Sequence, residues 1–220
     1  MNRIDSTMDD MANTKFLTLY STLIKQFTTT TQFTNTEVVC LLIIYYKFVQ
    51  INGPNAKQMK KKQMYNLFLV LFRIYDMTII ERILLNITAD VVYISPEAWM
   101  KLFTVFLSKK LDERIQFAYK VYTTSTSGVL NRETVGMAIE KFFVGEDDDE
   151  IKELQADMLE FIFGKFDLDK DGVISYEEYY EIVTNQPVLL EFLGQIFPDL
   201  SDITVIAYCT NIATLFPDGD

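Results

Sequence analysis

Asp167-Leu168-Asp169-Lys170-Asp171-Gly172-Val173-Ile174-Ser175-Tyr176-Glu177-Glu178 is the stretch on which the fold turns. It fills each oxygen-bearing position of a twelve-residue calcium loop. Calcium is a hard cation that takes about seven oxygens, so acidic side chains at loop positions 1, 3 and 5 must converge on one point. Asp167, Asp169 and Asp171 stand at those positions. Gly172 supplies the sharp turn that brings the Val173 carbonyl to the ion, Ser175 acts through a water, and Glu178 closes the sphere with two oxygens. These six residues are the candidate metal ligands. They predict one Ca2+ per chain, held with an affinity on the order of micromolar.

The flanks agree with the loop. Leu159, Ile162, Phe163 and Phe166 recur at helical spacing before it, and Tyr179, Ile182 and Val183 continue the apolar face after it. Ser175 and Glu178 are spaced as a capping box, so the same serine starts the exiting helix. An acidic surface turn would need none of this; helix, loop and helix together read as an EF-hand.

Such loops pair through a short backbone contact at position 8, so a partner is expected nearby. Thr123 to Thr134 keeps the turn glycine, Gly128, and an apolar position 8, Leu130, behind a helix carrying Ile115, Tyr119 and Tyr122. Thr123, Ser125, Ser127 and Thr134 replace the carboxylates, and without negative ligands the cost of stripping water from an ion is not offset. This loop reads as a structural partner in which Leu130 faces Ile174. A third unit, with Ile80, Ile83, Leu84 and Ile87 before it and Trp99, Leu102 and Phe103 after it, has a loop one residue short, no glycine and one acid, Asp90. The first unit, bridged by Asn52 to Lys62, offers lysines instead of ligands.

Apolar residues elsewhere recur at intervals of three and four, and period-2 alternation is scarce. Thr34 and Glu37 form a capping box opening a helix to about Gln50, which Asn52-Gly53-Pro54 ends. Helices follow near 61–73 and 78–87, then one that Ser95-Pro96 starts, then 112–122, 131–143, 150–166, 175–184, 188–196 and 203–215. Residues 1–14 read as polar and loose. The predicted fold class is all-α: an EF-hand protein of two paired helix-loop-helix lobes, four units of which three are degenerate, plus C-terminal helices. The corresponding segments are 1–30 (an N-terminal extension), 31–108, 109–186 and 187–220 (a helical tail).

Composition narrows the function classes. The 220 residues carry 20 Lys and Arg against 31 Asp and Glu, a net charge of −11, which repels nucleic acid and favours cations or basic partner helices. There is no histidine, which removes Ser-His-Asp and Cys-His nucleophile arrangements and histidine metal sites. No Gly-rich phosphate loop appears either, so no enzyme constellation is legible. Cys40 and Cys209 lie in apolar stretches and read as buried thiols of a reducing compartment. The most apolar run, Val38 to Tyr46, is too short for a transmembrane segment, and Asn at position 2 argues against myristoylation. Lys57, Lys60, Lys61 and Lys62 form a basic cluster, either a solvated loop or a docking patch, and the acids at 146–150 suit a helix N-terminus.

Taken in order, the segments Glu37 to Val49, Met77 to Arg82, Trp99 to Leu107, Leu111 to Tyr122, the loop and Pro187 to Pro198 resemble the neuronal calcium sensor and calcineurin B-like group. Within it, calaxin-like EF-hand proteins are the most similar. The resemblance runs from about Phe33 to Pro198 and implies a calcium sensor of cilia or sperm flagella, associated with outer-arm dynein or its docking machinery. The implied partner is an amphipathic helix of a dynein-arm or docking component, seated in a groove lined by Phe142, Phe143, Tyr179, Phe192, Ile196 and Phe197 unless the C-terminal helices fill it. Members of that family keep acidic ligands in their second and third loops, and this chain has lost them. That departure argues against graded or cooperative sensing. Two alternatives stay open: a constitutive structural axonemal subunit with one stabilising ion, and a calcineurin B-like regulatory subunit of an enzyme.

Overall fold

A computed structural model describes residues 4–123, 128–145 and 147–208. It is an all-α EF-hand fold with two short β-ladders among the described residues. The chain forms two compact units. The first draws its described residues from Met1–Tyr75, Ile87–Ser108 and Phe197–Asp220, and the second from Asp76–Asn86 and Lys109–Ile196.

In the first unit, α1 (Asp10–Thr30) is capped by Asp9, whose carboxylate accepts from the Ala12 N–H. Its apolar stripe of Phe16, Tyr20, Ile24 and Phe27 is buried, facing α2 (Asn35–Ile51). The predicted Thr34–Glu37 capping box is formed, and α2 runs one residue past its expected end. Buried on nearly every side, α2 packs Tyr45 and Tyr46 edge-to-face against Tyr20 with ring centroids 6.2 and 5.9 Å apart.

The first two loops pair through β1 (Met59–Lys60) and β2 (Tyr93–Ile94), antiparallel with Met59 opposite Ile94. The Tyr45 hydroxyl ties this ladder down: it donates to the Ile94 carbonyl at 2.7 Å and accepts from the Met59 N–H. After β1, α3 (Lys61–Asn66) passes into one π-helical turn, Leu67–Leu71. In α5 (Pro96–Phe106), Ser95 is the N-cap and Pro96 the first residue, as the sequence predicts, and the Trp99 indole donates to the Leu41 carbonyl at 3.0 Å.

Three expectations need correction. Residues 1–14 are not loose where described: buried Asn13 accepts from the N–H groups of Ile4 and Asp5 and donates to the carbonyls of Asp5 and Met8. Asp5 pairs with Lys47 at 2.7 Å. Polar residues here satisfy one another and anchor a 21-residue helix that periodicity alone did not single out. Residues 188–196 are not an α-helix; Pro187–Glu191 makes a 3-10 turn, and Gly194, at φ +123°, turns the chain sharply. The last described helix, α10 (Leu200–Tyr208), starts earlier than expected and packs against α2. Residues 209–215 of that expected helix, with Cys209, lie outside the described residues. Cys40 is half-buried, and burial pushes its thiol pKa up.

The second unit holds α4 (Met77–Ile87) through Asn86, α6 (Leu111–Tyr122), α7 (Arg132–Ile139), α8 (Asp148–Phe166) and α9 (Tyr176–Asn185). Its loops join through β3 (Leu130–Asn131) and β4 (Val173–Ile174). Asp147 caps α8 by accepting from the N–H groups of Asp149 and Glu150, so the acidic run lies at the positive end of the helix dipole as expected.

Candidate metal centre

The loop from Asp167 to Glu178 is bounded by the C-terminus of α8 and the first turn of α9. Carboxylate oxygens of Asp167, Asp169 and Asp171 all lie within 4.8 Å of one another. At such a separation each pair of like charges repels by about 1 kcal/mol in water and by several in a less polar setting. Backbone N–H groups offset part of that cost. Asp167 accepts from the N–H groups of Asp171 at 3.1 Å and Gly172 at 3.0 Å. Asp169 accepts from Asp171 at 3.1 Å, and Asp171 from Val173 at 2.9 Å. Lys170, at φ +60°, and Gly172, at φ +87°, occupy the left-handed region that coils the chain around the carboxylates; Gly172 does so without a Cβ to clash.

Glu178 is drawn to the same loop from the first turn of α9. One oxygen accepts from the N–H groups of Leu168 at 2.7 Å and Asp169 at 3.3 Å, and the other from the Ser175 N–H and hydroxyl at 2.8 Å each. Burial works against its charge, but the bonds from Ser175, Leu168 and Asp169 outweigh this and hold its pKa below the usual glutamate value. Ser175 also accepts from the Glu178 N–H, completing the predicted capping box. Of the six predicted residues, the structure gathers three carboxylates and ties Glu178 to the loop's start. Val173 and Ser175 are tied to Asp171 and Glu178. An all-oxygen donor set with surplus negative charge fits a hard divalent cation.

The neighbouring loop braces this one. Leu130 faces Ile174 in the β3–β4 register, and both are fully buried. The Tyr119 hydroxyl donates to the Ile174 carbonyl at 2.8 Å and also reaches the Gly128 carbonyl at 3.1 Å, joining both loops through one atom. Arg132 pairs with Glu160 and lies 4.6 Å over the Phe163 ring, fixing the helix that enters the loop. Sequence reading took Tyr119 only as part of an apolar face and gave Arg132 no role. A tyrosine in place of a phenylalanine at a core position was the one available signal. Residues 124–127, including the expected ligand replacements Ser125 and Ser127, lie outside the described residues.

The expected partner groove is closed for most of its residues. Within the second unit, Tyr179 is fully buried and donates to the Leu190 carbonyl at 2.5 Å, while Phe192 stacks on Phe166 at 4.4 Å. Tyr122 donates to the Gly194 carbonyl, and Ile196 is fully buried. The segment after α9 fills this space, with Leu190 and Phe192 placed ahead of the turn at Gly194. Phe197 lies in the first unit, against Phe106. Phe142 stays 43% exposed, and Phe143 is half-buried.

An EF-hand domain pair family model matches residues 112–184, the two braced loops and their helices. Across a longer span the chain is similar to calaxin of Danio rerio, 27% identical over 179 residues, 78% of this chain and 83% of that protein. Calaxin of Xenopus laevis is 27% identical over 76% of this chain and 82% of its own. The chain is similar to calaxins and carries an EF-hand domain pair. Calaxin of Homo sapiens matches at 26% identity over 178 residues, 76% of this chain and 81% of the relative. These similarities thus indicate a calcium-binding EF-hand protein. No described helix is long and apolar enough to cross a membrane.

Proposed function

We propose that the chain holds one Ca2+ in the loop 167–178 and works as a calcium-tuned adaptor in the axoneme of a cilium or flagellum. The ligands are Asp167, Asp169, Asp171, the Val173 carbonyl, Ser175 through a water, and Glu178. The observation that carries this reading is the gathering of three carboxylates within 4.8 Å in a loop braced by a neighbour that has no carboxylate ligand of its own. Bound calcium supplies the charge that balances those carboxylates and draws Glu178 onto the same point. In domain terms, a degenerate lobe (31–108) and a calcium lobe (109–186) are flanked by an extension (1–30) and a tail (187–220).

Similarity to calaxins supports an outer-arm dynein or docking component as the partner. The stretches forming the second unit carry 10 Lys and Arg against 21 Asp and Glu, which favours an amphipathic helix with basic residues. Segment 187–196 already fills the space beside Tyr179, so the helix either displaces it or rests on the exposed Phe142, Val144, Leu154 and Phe161. With a single ion to drive the change, calcium tunes this contact without being required for it. The test is a pull-down from axonemal extract with wild type and Glu178→Gln, with and without calcium. The expected result is recovery of a dynein-arm or docking protein by both forms, stronger for wild type with calcium. Equal recovery throughout contradicts calcium tuning, and recovery of no such protein contradicts the assignment.

A further inference from the structure

Charge is divided unevenly along this chain. The stretches that form the second unit account for the whole net charge of −11, and the rest of the sequence holds 10 Lys and Arg against 10 Asp and Glu. Within the first unit the basic side chains are concentrated further. Between positions 11 and 75 there are eight Lys or Arg and one acidic residue, Glu37. The Lys57 to Lys62 cluster belongs to this stretch, and the calcium reading leaves it unused.

A groove of 870 Å³ within the first unit is lined mostly by this stretch, with Asp9 and Pro96 at its edges. One wall is the outward stripe of α1, Met11, Lys15 and Leu19, spaced so that all three share one helical face. Met11 is 78% and Leu19 54% exposed. The opposite wall is the turn after α2, with Pro54 and Lys57. Lys15 reaches across to donate to the Pro54 carbonyl at 3.4 Å, a long bond that a carboxylate would improve on. Tyr46 also lines the groove; it is 2% exposed, and its buried hydroxyl has no hydrogen-bond partner of good geometry, with Gln50 as its polar neighbour. Asp9 is the acid in the lining, and its carboxylate is engaged in capping α1.

An exposed apolar stripe, two lysines and a buried hydroxyl lacking an acceptor ask for one kind of occupant. It must bring aliphatic surface, negative charge and a hydrogen-bond acceptor. We propose that this groove docks an acidic amphipathic segment of a partner protein, its aliphatic face on Met11 and Leu19, its carboxylates on Lys15 and Lys57, and one oxygen accepting from the Tyr46 hydroxyl. The exposed Lys60 and Lys62 strengthen the attracting field. This contact is separate from the calcium loop. The adaptor then carries two surfaces of opposite preference, an acidic unit for basic helices and a basic groove for acidic ones.

The experiment titrates the full-length 15N-labelled protein with a synthetic helical peptide bearing Leu at i, i+3, i+4 and i+7 and Glu elsewhere. A twin with Lys in place of every Glu serves as the control. The acidic peptide should shift the amide signals of Met11, Leu19, Tyr46 and Lys57, saturably, and the basic twin should leave them still. Lys15→Glu with Lys57→Glu should weaken binding roughly tenfold or more, and so should raising the salt to roughly 0.3 M. Tyr46→Phe should weaken it by less, and Glu178→Gln should leave it unchanged, which separates this proposal from the calcium reading. All exchanged lysines are exposed, and circular dichroism checks that the variants fold. The proposal is overturned if the acidic peptide does not bind, if the twin binds equally, or if the lysine reversals have no effect. It is also overturned if phosphatidylserine vesicles bind this face and expel the peptide, or if sedimentation shows the face buried between two copies of the chain.

Discussion

At the scale of single residues, the calcium loop depends on groups that do not touch the ion. Tyr119 is the clearest, since one hydroxyl joins both loops of the pair. Tyr119→Phe keeps the ring packing and removes the one O–H that the two loop carbonyls share. The expected loss is about 1–2 kcal/mol of stability, read by thermal melts, with a several-fold rise in the calcium Kd. Asp5 makes a second prediction. Burial opposes its charge, yet the Lys47 ammonium and the Thr7 N–H and hydroxyl bring its pKa from 3.8 down to about 2. A carboxylate whose pKa is lowered by folding stabilises the fold above its unfolded value, and that contribution fades as pH falls from about 4 to about 2. Asp5→Asn should lower Tm at neutral pH by about 3 °C and flatten the decline between those pH values. The acidic loop positions were legible because calcium fixes residue type and spacing together; Tyr119 and Arg132 were not, because Ile174 and Glu160 are 55 and 28 residues away, and Asn13 was not, because its bonds to residues 4–9 follow no recurring spacing.

At the scale of elements, the short ladder between β3 and β4 carries the coupling of the two loops. Leu130 opposite Ile174 was predictable from loop position 8 alone, and the register has it so. Leu130→Asp places a charge where nothing is exposed and should cost about 3 kcal/mol or more, with calcium binding weakened but not abolished. Differential scanning calorimetry and a calcium titration of the variant check both parts, and unchanged values would contradict the pairing account. Capped helices were the most readable elements: Thr34 with Glu37, Ser95 with Pro96, and Ser175 with Glu178 each start a helix as expected. The misses share a cause. The start of α1 is fixed by bonds among polar residues 4–13 and by Lys47, and the turn at Gly194 by its place in the second unit, so tertiary contacts overrode what local pattern suggested.

At the scale of the molecule, the EF-hand class follows from four helix-loop-helix patterns in one chain, and the β1–β2 and β3–β4 ladders pair them in two sets. Degenerate loops keep this pairing because it rests on apolar position-8 side chains and backbone bonds, which do not need an ion. Charge does not obey the same economy. The excess acids lie in the stretches of the second unit, while the stretch from 11 to 75 is basic. The central claim is that one loop, and one alone, binds calcium. Isothermal titration calorimetry of the full-length chain, beside Glu178→Gln, tests it most directly. The account predicts one ion per chain at roughly micromolar Kd for the wild type and no measurable binding for the variant. Two or more ions in the wild type, or full binding by Glu178→Gln, would contradict it.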